Sequence, residues 1–565
     1  MNSLEILKKY WGYNQFRINQ EKIINNILDS RDTLAIMPTG GGKTLCYQIP
    51  ALINNGICLV ISPLISLMQD QISYLTTKGF ISHSLNSNLS VNETERILNN
   101  CIYGKVKFLY VTPEKLKEKL FTNKIGLMKI NLIAVDEAHC ISQWGHDFRP
   151  AYRDIGTLRE KLNEVPVLAL TATANKVIAE DIEENLLFKK SNIIRSSLQR
   201  KNLSLQVNKT NDKKNHLIYL LKKIKSSAIV YVDTRRKTKE ISNLLIKNNF
   251  SACYYHAGIQ FRQKKEIQKK WSSNQIRIIV ATSAFGMGIN KKDVKLVVHL
   301  FLPSTIEEYF QQAGRAGRNG EKAFAVLLAN NNDIIKQKKL FKLKYPEINN
   351  IKLIYQNIAS SLHVAINEKP DYPLSFNISV FCSTHKIEII KLYHSIMCLE
   401  KAELIKLNFA NNTQSKVKFI VSRANIYKFQ IANKEYDQVL QLLLRKFENI
   451  LNEYHYINEQ KIAKELNKTE KKVKDILLKL NKLEILTYEM SNNLPTIHFL
   501  KPRLSIENIR INHKLYDKRK KIDFNNLLLM IKYINEQKKC RSKSILEHFE
   551  EKLADDCGIC DICVN

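Results

Sequence analysis

The sequence has little glycine for its length. Only 17 of its 565 residues are glycine, and after Gly320 the chain contains just one more, Gly558. Because glycine is the residue that tolerates positive φ angles and close backbone approach, so sparing a use marks the clustered glycines as candidates for function. The scarcity also predicts a mostly helical C-terminal part with short turns.

Long apolar runs are absent as well. No run approaches the roughly 18 residues that a membrane-spanning helix needs, and residues 1–20 contain three basic side chains but no apolar stretch typical of a secretory signal. We therefore expect a soluble, cytoplasmic protein without a membrane partner. Hydrophobic residues make up 44% of the chain. This content excludes wholesale disorder, and the length suggests roughly three to five domains.

Acidic residues are few in comparison with basic ones. The chain has 54 Asp and Glu against 88 Lys and Arg, a formal charge of +34. The excess is +5 over residues 1–200, +18 over 201–340 and +11 over 341–565. A uniform bias in composition would not load the middle segment in this way. A positive field of this size attracts polyanions, so nucleic acid is the expected partner and residues 201–340 are expected to face its phosphates.

A glycine-rich loop lies between a predicted strand at Leu34–Met37 and a helix predicted to start at Thr44. Backbone N–H groups of such a loop cradle phosphates, while Lys43 would reach the β- and γ-phosphate oxygens and Thr44 would bind Mg²⁺. The strict pattern has glycine at the position of Met37, so a chance glycine turn is the alternative. The predicted nucleotide-binding residues of the loop are Pro38, Thr39, Gly40, Gly41, Gly42, Lys43 and Thr44.

Two adjacent carboxylates follow a second apolar stretch. Ile130–Val135 predicts a buried strand that ends in Asp136 and Glu137. In a nucleotide hydrolase, Asp136 would hold Mg²⁺ and Glu137 would polarise the attacking water. The alternative is an exposed acidic pair at a helix N-terminus, where acidic residues are favoured. The lysine-containing loop upstream favours the catalytic interpretation.

Two arginines stand three residues apart in the segment Tyr309–Arg318, on one face if the segment is helical. Arginine near a γ-phosphate stabilises the charge of the transition state, so Arg315 and Arg318 are predicted to be catalytic. A solvated basic helix is the alternative, but Gly314 and Gly317 would be costly inside a helix.

These three segments resemble motifs I, II and VI of superfamily 2 helicases, and the other motifs follow in the family's order. Residues 13–20 resemble motif 0, and motifs Ia, Ib, III, IV and V are similar to residues 62–71, 112–114, 171–174, 230–235 and 281–290. The stretch Cys140–Pro150 resembles the aromatic-rich loop of RecQ DNA helicases. The resemblance covers residues 1–330 almost continuously. Gln312 departs from it, because motif VI of RecQ usually has Glu there, and we expect little effect.

The RecQ resemblance implies an ATP-dependent 3′-to-5′ DNA helicase of recombination, repair and replication, located at the nucleoid. It implies an α/β fold with two RecA-like lobes, residues 1–200 and 201–340, and ATP between them. The implied partners are single-stranded and duplex DNA, with single-strand-binding protein and repair factors. The implied adenine-nucleotide contacts are Phe16, Arg17 and Gln20. Catalysis would fall on Lys43, Thr44, Asp136, Glu137, Gln311, Arg315 and Arg318, and DNA binding on Thr112, Trp144, His146, Phe148, Arg149, Arg235 and Thr282.

The chemistry of the aromatic loop agrees with DNA binding. Trp144 and Phe148 offer π faces on which bases can stack, and Arg149 and His146 could meet phosphate. The loop directly follows the two carboxylates, so a bound base could reposition them. For Trp144 alone, an ordinary core position is the alternative, since tryptophan is commonly buried.

Periodicity predicts two winged-helix-like units in tandem, at residues 341–425 and 426–503. The second has a predicted helix-turn-helix over 460–481, with strands at 485–490 and 496–500 on either side of a wing. Lysines of its second helix suit phosphate contact, but winged helices bind proteins about as readily as DNA. The first unit has an apolar helical stripe at Ile389, Leu392, Tyr393 and Ile396, followed by a strand with Val417, Phe419 and Val421.

Four of the eleven cysteines stand close together near the end of the chain, with intervals of 16, 2 and 2 residues: Cys540, Cys557, Cys560 and Cys563. A Cys₄ zinc site fits this spacing. An iron–sulfur cluster is the alternative, although the Cys-Pro that ends such a run is absent. The spacing resembles the RecQ zinc-binding subdomain, predicted here as a helical module over 504–565. That family usually places the module directly after the helicase lobes, whereas residues 341–503 intervene here.

Two other functions stay open on the sequence. One is an RNA-directed DEAH-type helicase, against which the aromatic loop and the cysteine cluster argue. The other is a non-catalytic winged-helix DNA-binding regulator, against which Lys43, Asp136 and Glu137 argue.

Overall fold

The computed structural model describes residues 2–38, 40–142, 144, 148–283, 285, 291–409, 415–489 and 494–564, with the backbone alone at Phe261. The chain forms two units. The first comprises Met1–Lys338 together with Arg519–Asn565, and the second comprises Lys339–Lys518.

The first lobe of the first unit is built on a seven-stranded parallel sheet in the order β3-β4-β2-β5-β6-β1-β7. Alternate residues of β1 point into two separate cores, because helices cover both faces of the sheet. The strands are β1 (Thr33–Ile36), β2 (Ile57–Ile61), β3 (Ser82–Leu85), β4 (Phe108–Val111), β5 (Ile130–Val135), β6 (Val167–Thr171) and β7 (Ile193–Arg195). The helices are α1 (Ser3–Ile6), α2 (Gln20–Leu28), α3 (Leu45–Ile53), α4 (Ile65–Thr77), α5 (Val91–Tyr103), α6 (Lys119–Lys124), α7 (Asp154–Lys161) and α8 (Lys176–Asn185).

The second lobe has a six-stranded parallel sheet in the order β10-β11-β9-β12-β13-β8. Its strands are β8 (Leu203–Lys209), β9 (Ser227–Tyr231), β10 (Ala252–Tyr255), β11 (Ile278–Ala281), β12 (Val294–His299) and β13 (Ala323–Ala329). Its helices are α9 (Lys213–Lys223), α10 (Arg235–Lys247), α11 (Phe261–Ser272) and α12 (Ile306–Ala313), and α13 (Asn331–Lys344) follows. The two predicted α/β lobes are therefore confirmed, and each presents the carboxyl ends of its strands at one edge, where ligands of open α/β sheets bind.

The second unit contains two small antiparallel sheets, ordered β14-β19-β15 and β17-β16-β18. The strands are β14 (Leu374–Ser375), β15 (Ile405–Asn408), β16 (Ser415–Phe419), β17 (His455–Ile457), β18 (Leu486–Glu489) and β19 (Thr496–Phe499). The helices are α14 (Ile348–Ser361), α15 (Ile378–Thr384), α16 (Ile389–Lys401), α17 (Arg423–Ala432), α18 (Lys434–Lys446), α19 (Glu459–Glu465) and α20 (Glu470–Lys482). Each sheet has its own helices and its own core.

The two winged-helix-like units are nested, and the predicted tandem arrangement is wrong. The inserted unit, residues 415–489, lies in the chain between β15 and β19 of the outer unit, and those two strands pair with each other. The boundary predicted at residue 425 therefore cuts through the inserted unit. The strands predicted as two arms of one wing belong to different sheets, since β18 pairs with β16 and β19 pairs with β14 and β15. The wing residues 491–493 lie outside the described residues.

The apolar stripes of the two units differ in burial. In α20, the second helix of the predicted helix-turn-helix, the apolar residues at intervals of three and four are all buried: Val473, Ile476, Leu477 and Leu480. Of the four residues predicted in α16, Leu392 and Ile396 are buried, together with Ser395 and Leu399, whereas Tyr393 and Ile389 are 44% and 58% exposed. The prediction for those two residues is wrong.

The C-terminal segment returns to the first unit. It starts at Arg519, inside α21 (His513–Asn535), and continues with α22 (Arg541–His548) and α23 (Asp561–Val564). Tyr533 and Phe549 share a hydrophobic core with the second lobe, and their rings lie 5.4 Å from those of Tyr309 and Phe310 respectively. The segment thus packs on the second lobe although residues 339–518 intervene in the sequence. Within the described ranges, no helix combines the length and the apolar character that a bilayer span requires.

Candidate active site and metal centre

The glycine loop connects β1 to α3 in a conformation that only glycine adopts readily. Gly40 and Gly42 have φ angles of +84° and +83°, in the left-handed region. A Cβ on Gly42 would lie 2.4 Å from Nε2 of Gln20. Met37, at the position where the strict motif has glycine, is buried in the core beside Cys46. A core side chain thus occupies the position that departs from the pattern, and the glycines form the turn that follows it.

Two residues that are predicted to bind adenine donate hydrogen bonds to the glycine loop. Nη1 of Arg17 donates to the carbonyl of Gly40 at 2.5 Å, and Nε2 of Gln20 donates to that of Gly42 at 3.1 Å. Phe16 is half-buried against the N-terminal helix. Thr39 lies outside the described residues. Adenine binding by these residues stays a prediction, and their contacts place them at the phosphate loop.

Asp136 and Glu137 follow β5 at the carboxyl edge of the first sheet. Burial raises the pKa of Asp136 to about 6; the charge of Glu137 adds to the rise and that of Lys43 opposes it. Glu137 adopts a left-handed conformation at φ +49°, which is uncommon outside glycine and is found at functional sites. Nδ1 of His139 lies 3.5 Å from Oε2 of Glu137 and 3.0 Å from Oγ1 of Thr171. His139 therefore links the carboxylate pair to the end of β6.

The two predicted catalytic arginines lie in a turn, which we call the arginine turn (Gly314–Arg318). Helix α12 ends at Ala313 and Gly317 has a φ of +67°, so the helical arrangement considered for this segment is wrong. Cγ of Arg318 is 3.7 Å from the point that a Cβ on Gly40 would occupy. Burial, then the charges of Arg315 and Arg200, lower the pKa of Arg318 to about 9.

The structure thus brings three distant sequence segments to one cleft: the glycine loop, the carboxylate pair and the arginine turn. Backbone N–H groups, Lys43 and the arginines can hold and neutralise a polyphosphate, while the carboxylates can orient water. Gln311 lies half-buried on α12, one turn before the arginines. The arrangement is suited to nucleotide hydrolysis.

The residues predicted for DNA binding in the first lobe are differently placed. Arg149 donates from Nη1 to the carbonyl of Pro63 at 3.2 Å, so it contacts the segment that resembles motif Ia. Phe148 lies under the guanidinium of Arg153, whose carbon is 5.4 Å from the ring centre. Trp144 is half-buried, Thr112 is buried at the end of β4, and His146 lies outside the described residues.

Tyr152, which the sequence analysis missed, contacts the backbone of Asp136. It is fully buried just after the aromatic loop, and its hydroxyl donates to the carbonyl of Asp136 at 2.9 Å. Neither periodicity nor motif marks this tyrosine. Its position after the loop gives a physical connection between the loop and the carboxylate pair.

In the second lobe, the predicted Arg235 and Thr282 follow β9 and β11 at the carboxyl edge of the sheet. His256, which the sequence analysis missed, follows β10 at the same edge. It is buried, and no hydrogen bond to its ring nitrogens occurs among the described residues. Burial and then the charge of Arg235 lower its pKa. Gly258, a glycine two residues later in a chain with few glycines, is the sequence feature that could have pointed to His256. Residues 286–290 lie outside the described ranges.

The four C-terminal cysteines form one cluster, as predicted. Their sulfur atoms all lie within 4.8 Å of one another, and Sγ of Cys563 is 3.9 Å from that of Cys557 and 3.4 Å from that of Cys560. These separations exclude disulfides. They fit a tetrahedral zinc site, in which Zn–S bonds of about 2.3 Å set the sulfurs about 3.8 Å apart. Among the described residues, the other seven cysteines form no disulfide, and five of them are buried.

The cysteine cluster is fixed to the second lobe by charged contacts. Arg541, next to Cys540, donates to both carboxylate oxygens of Asp561, and Asp561 in turn accepts from the backbone N–H of Val207 in β8. At the other end of α22, Nε2 of His548 lies 2.7 Å from Oε1 of Glu307 in α12. The metal centre is therefore connected to the helix that precedes the arginine turn.

Four family models match the chain, each over a separate part. They are DEAD/DEAH box helicase at residues 17–181, helicase conserved C-terminal domain at 212–320, RecQ helicase winged-helix domain, Bacteroidota, at 417–490, and RecQ zinc-binding at 504–564. The third match coincides with the inserted unit, and the fourth contains all four clustered cysteines.

Curated relatives match the N-terminal part of the chain. The ATP-dependent DNA helicase RecQ of Haemophilus influenzae is 42% identical over 326 residues, 58% of this chain and 53% of that protein. RecQ of Bacillus subtilis is 42% identical over 340 residues, 60% and 58% of the two chains. The probable ATP-dependent DNA helicase RecS of the same organism is 39% identical over 345 residues, 60% of this chain and 69% of that protein. The chain thus spans little more than half the length of the RecQ relatives.

Solved structures share the fold at low identity. A crystal structure of the DUF1998 helicase MrfA bound to DNA has a TM-score of 0.51 at 17% identity, covering 72% of this chain and 61% of that one. A second, with DNA and AMPPNP, has a TM-score of 0.50 at 18% identity and covers 60% and 52%. At such identities, the likeness concerns the fold alone.

Proposed function

The chain belongs to the RecQ family of helicases, and we propose that it uses ATP hydrolysis to unwind duplex DNA, moving 3′ to 5′ along one strand. The observation that carries the proposal is the meeting of the glycine loop, the carboxylate pair and the arginine turn in one cleft. Arg318 lies against Gly40 although 278 positions separate them in the sequence. Relatives that carry the name DNA helicase and the family's winged-helix and zinc-binding parts support DNA as the substrate.

For ATP hydrolysis, each residue of the cleft has a distinct role. Lys43 and the loop N–H groups hold the β- and γ-phosphates, and Glu137 orients the attacking water. Arg315 and Arg318 stabilise charge that develops on the γ-phosphate. Thr44 and Asp136 are the expected ligands of Mg²⁺, which supplies further charge neutralisation when bound. A cation ligand must be ionised, and the neighbouring charge of Lys43 favours the ionised form of Asp136 by opposing the rise of its pKa.

For DNA, we propose stacking of bases on Trp144 and Phe148 and phosphate contacts by residues at the carboxyl edges of both sheets, including Thr112, Arg235 and Thr282. The hydrogen bond from Tyr152 to Asp136 supports a route from the aromatic loop to the ATP site. Partners of the proposed activity include single-strand-binding protein and repair factors, in recombination, repair and replication.

A strand-displacement assay tests the proposed function. The substrates are forked, 3′-tailed and 5′-tailed DNA duplexes and a 3′-tailed RNA duplex, each with ATP or a non-hydrolysable analogue. We expect ATP-dependent displacement of the forked and 3′-tailed DNA substrates. Displacement of RNA alone would indicate an RNA helicase, and binding without ATP hydrolysis would indicate a non-catalytic regulator.

Replacement of Trp144 by alanine is expected to separate DNA binding from ATP hydrolysis. One lost base–aromatic stack costs about 1 kcal/mol at the low end of its range, so single-strand affinity should fall only about fivefold. Stimulation of the ATPase by DNA should fall more than that, because no stacked base would displace the loop. The measurement is ATPase rate against single-stranded DNA concentration, together with binding by fluorescence anisotropy.

A matched control for this variant is Tyr103→Ala, which removes an aromatic ring that is 85% exposed at the end of α5. The control should leave binding and stimulation unchanged. Full stimulation of Trp144→Ala at saturating DNA would show that Trp144 only binds or packs.

A further inference from the structure

We infer that Arg200, in the linker between the two lobes, is a positioning residue that holds the arginine turn in the geometry needed for ATP hydrolysis. This inference rests on the proposed function. Arg200 belongs to none of the motifs in the sequence analysis, and only its contacts in the structure point to this role.

Arg200 donates hydrogen bonds to three backbone carbonyls of the arginine turn. Its Nη1 donates to the carbonyl of Gly314 at 3.2 Å, and its Nη2 donates to those of Ala316 and Gly317 at 3.0 Å and 2.8 Å. The bonded carbonyls lie on both sides of Arg315 and directly before Arg318. A planar guanidinium presents its donors in a fixed fork, so a single side chain can set the shape of the whole turn.

Asn202, two residues after Arg200, binds the same turn. Its Nδ2 donates to the carbonyls of Gly317 and Glu321 at 2.7 Å and 2.8 Å. Gly317 has no room for a side chain, since a Cβ there would lie 2.5 Å from that nitrogen. The turn is therefore shaped by the linker residues that contact its backbone.

The linker itself is anchored by the C-terminal segment. The backbone N–H of Leu198 donates to Oε2 of Glu551 at 2.8 Å, and the hydroxyl of Ser197 contacts the same carboxylate. Two residues further along the chain, Arg200 reaches the arginine turn. A continuous set of contacts thus runs from the segment that carries the cysteine cluster, through the linker, to the predicted catalytic arginines.

The charge of Arg200 lies close to the charges of the two predicted catalytic arginines. Three guanidinium groups, those of Arg200, Arg315 and Arg318, lie close enough that the charges of the first two lower the pKa of the third. Of the carbonyls that Arg200 binds, the neutral Asn202 shares only that of Gly317. A third cation at this place suits a turn that binds a polyphosphate.

The test compares Arg200→Lys and Arg200→Gln with the wild-type full-length protein, using DNA-stimulated ATP hydrolysis. Lysine keeps the charge, but neither lysine nor glutamine presents the guanidinium fork. Both variants should therefore lower kcat by up to about a hundredfold, the loss that a misplacement of about 1 Å can cause. The KM for ATP should change less than about twofold. Affinity for ADP with aluminium fluoride, which imitates the transferring phosphate, should fall, and affinity for ADP alone should not.

Arg277 provides a matched control in the same lobe. Its guanidinium also donates to three backbone carbonyls, those of Leu221, Ile224 and Ser226, but it precedes β11 and so lies at the opposite edge of the sheet. Arg277→Lys should lower the melting temperature about as much as Arg200→Lys and leave kcat unchanged.

Two results separate the inference from the proposed function. Equal kcat values for the Arg200 and Arg277 variants, with an active wild type, would overturn the role of Arg200 alone. A wild-type protein without DNA-stimulated ATPase would overturn the proposed function and the role of Arg200 with it.

Discussion

Replacement of Lys43 by alanine, or of Glu137 by glutamine, is expected to abolish ATP hydrolysis and unwinding while the fold persists. In the proposed mechanism, Lys43 supplies positive charge at the phosphates, and Glu137 holds the water that attacks. Removal of one such preorganised group lowers kcat by about 100- to 1000-fold in other enzymes. The two variants should differ in binding: Lys43→Ala weakens the affinity for ATP, whereas Glu137→Gln retains ATP without hydrolysing it.

The measurements are phosphate release, nucleotide binding and thermal unfolding. Lys107→Ala is a matched control, because Lys107 is a lysine of the first lobe that donates to backbone carbonyls of Asn54 and Gly56 at the amino edge of the sheet. This control should turn over at the wild-type rate. Turnover like the wild type in either Lys43→Ala or Glu137→Gln would remove that residue from the catalytic assignment.

Loss of Cys560 is expected to have the second large effect. Its thiol is fully buried in the cysteine cluster, and structural zinc contributes about 10–16 kcal/mol of apparent binding energy in zinc-finger peptides at neutral pH. Cys560→Ser should therefore lose most of its zinc and unfold α22 and α23 at a lower temperature than the rest. The contact of His548 with Glu307 and that of Glu551 with the linker should be lost with them.

Metal analysis and differential scanning calorimetry check this expectation. The wild-type protein should contain one zinc per chain, and Cys253→Ser, which changes a half-buried cysteine of the second lobe outside the cluster, should keep it. A brown wild-type protein that contains iron would replace the zinc assignment by an iron–sulfur cluster. Full zinc content in Cys560→Ser would show that this thiol is not a ligand.

The sequence predicts the two lobes and most of the cleft because their signals are local. The strand predicted at Ile130–Val135 coincides with β5, since a buried parallel strand is a short apolar run ended by polar residues. The glycines of the phosphate loop stand out for a similar reason, because their φ angles leave few other residues possible. Such local patterns can be interpreted without knowing which segments of the chain are in contact in the fold.

The features that the sequence analysis missed depend on contacts between distant residues. Arg200 acts on carbonyls more than a hundred positions away, and Tyr152 and His256 carry no periodic or motif signal. The predicted strand pairing of the second unit is wrong for a related reason. Apolar alternation marks β18 and β19 as strands, but it is the same whichever sheet a strand joins.

Nesting gives the second unit a preferred order of folding. Pairing of Asn408 with Thr496 closes a loop that contains the whole inserted unit. That unit begins and ends on neighbouring strands, since Lys416 pairs with Glu489. Once it has folded, it is equivalent to a short turn between β15 and β19. Closing a loop of roughly 10 residues instead of roughly 90 saves about 2 kcal/mol of chain entropy. The inserted unit should therefore gain hydrogen-exchange protection first during refolding, and the outer sheet should form on it as a template.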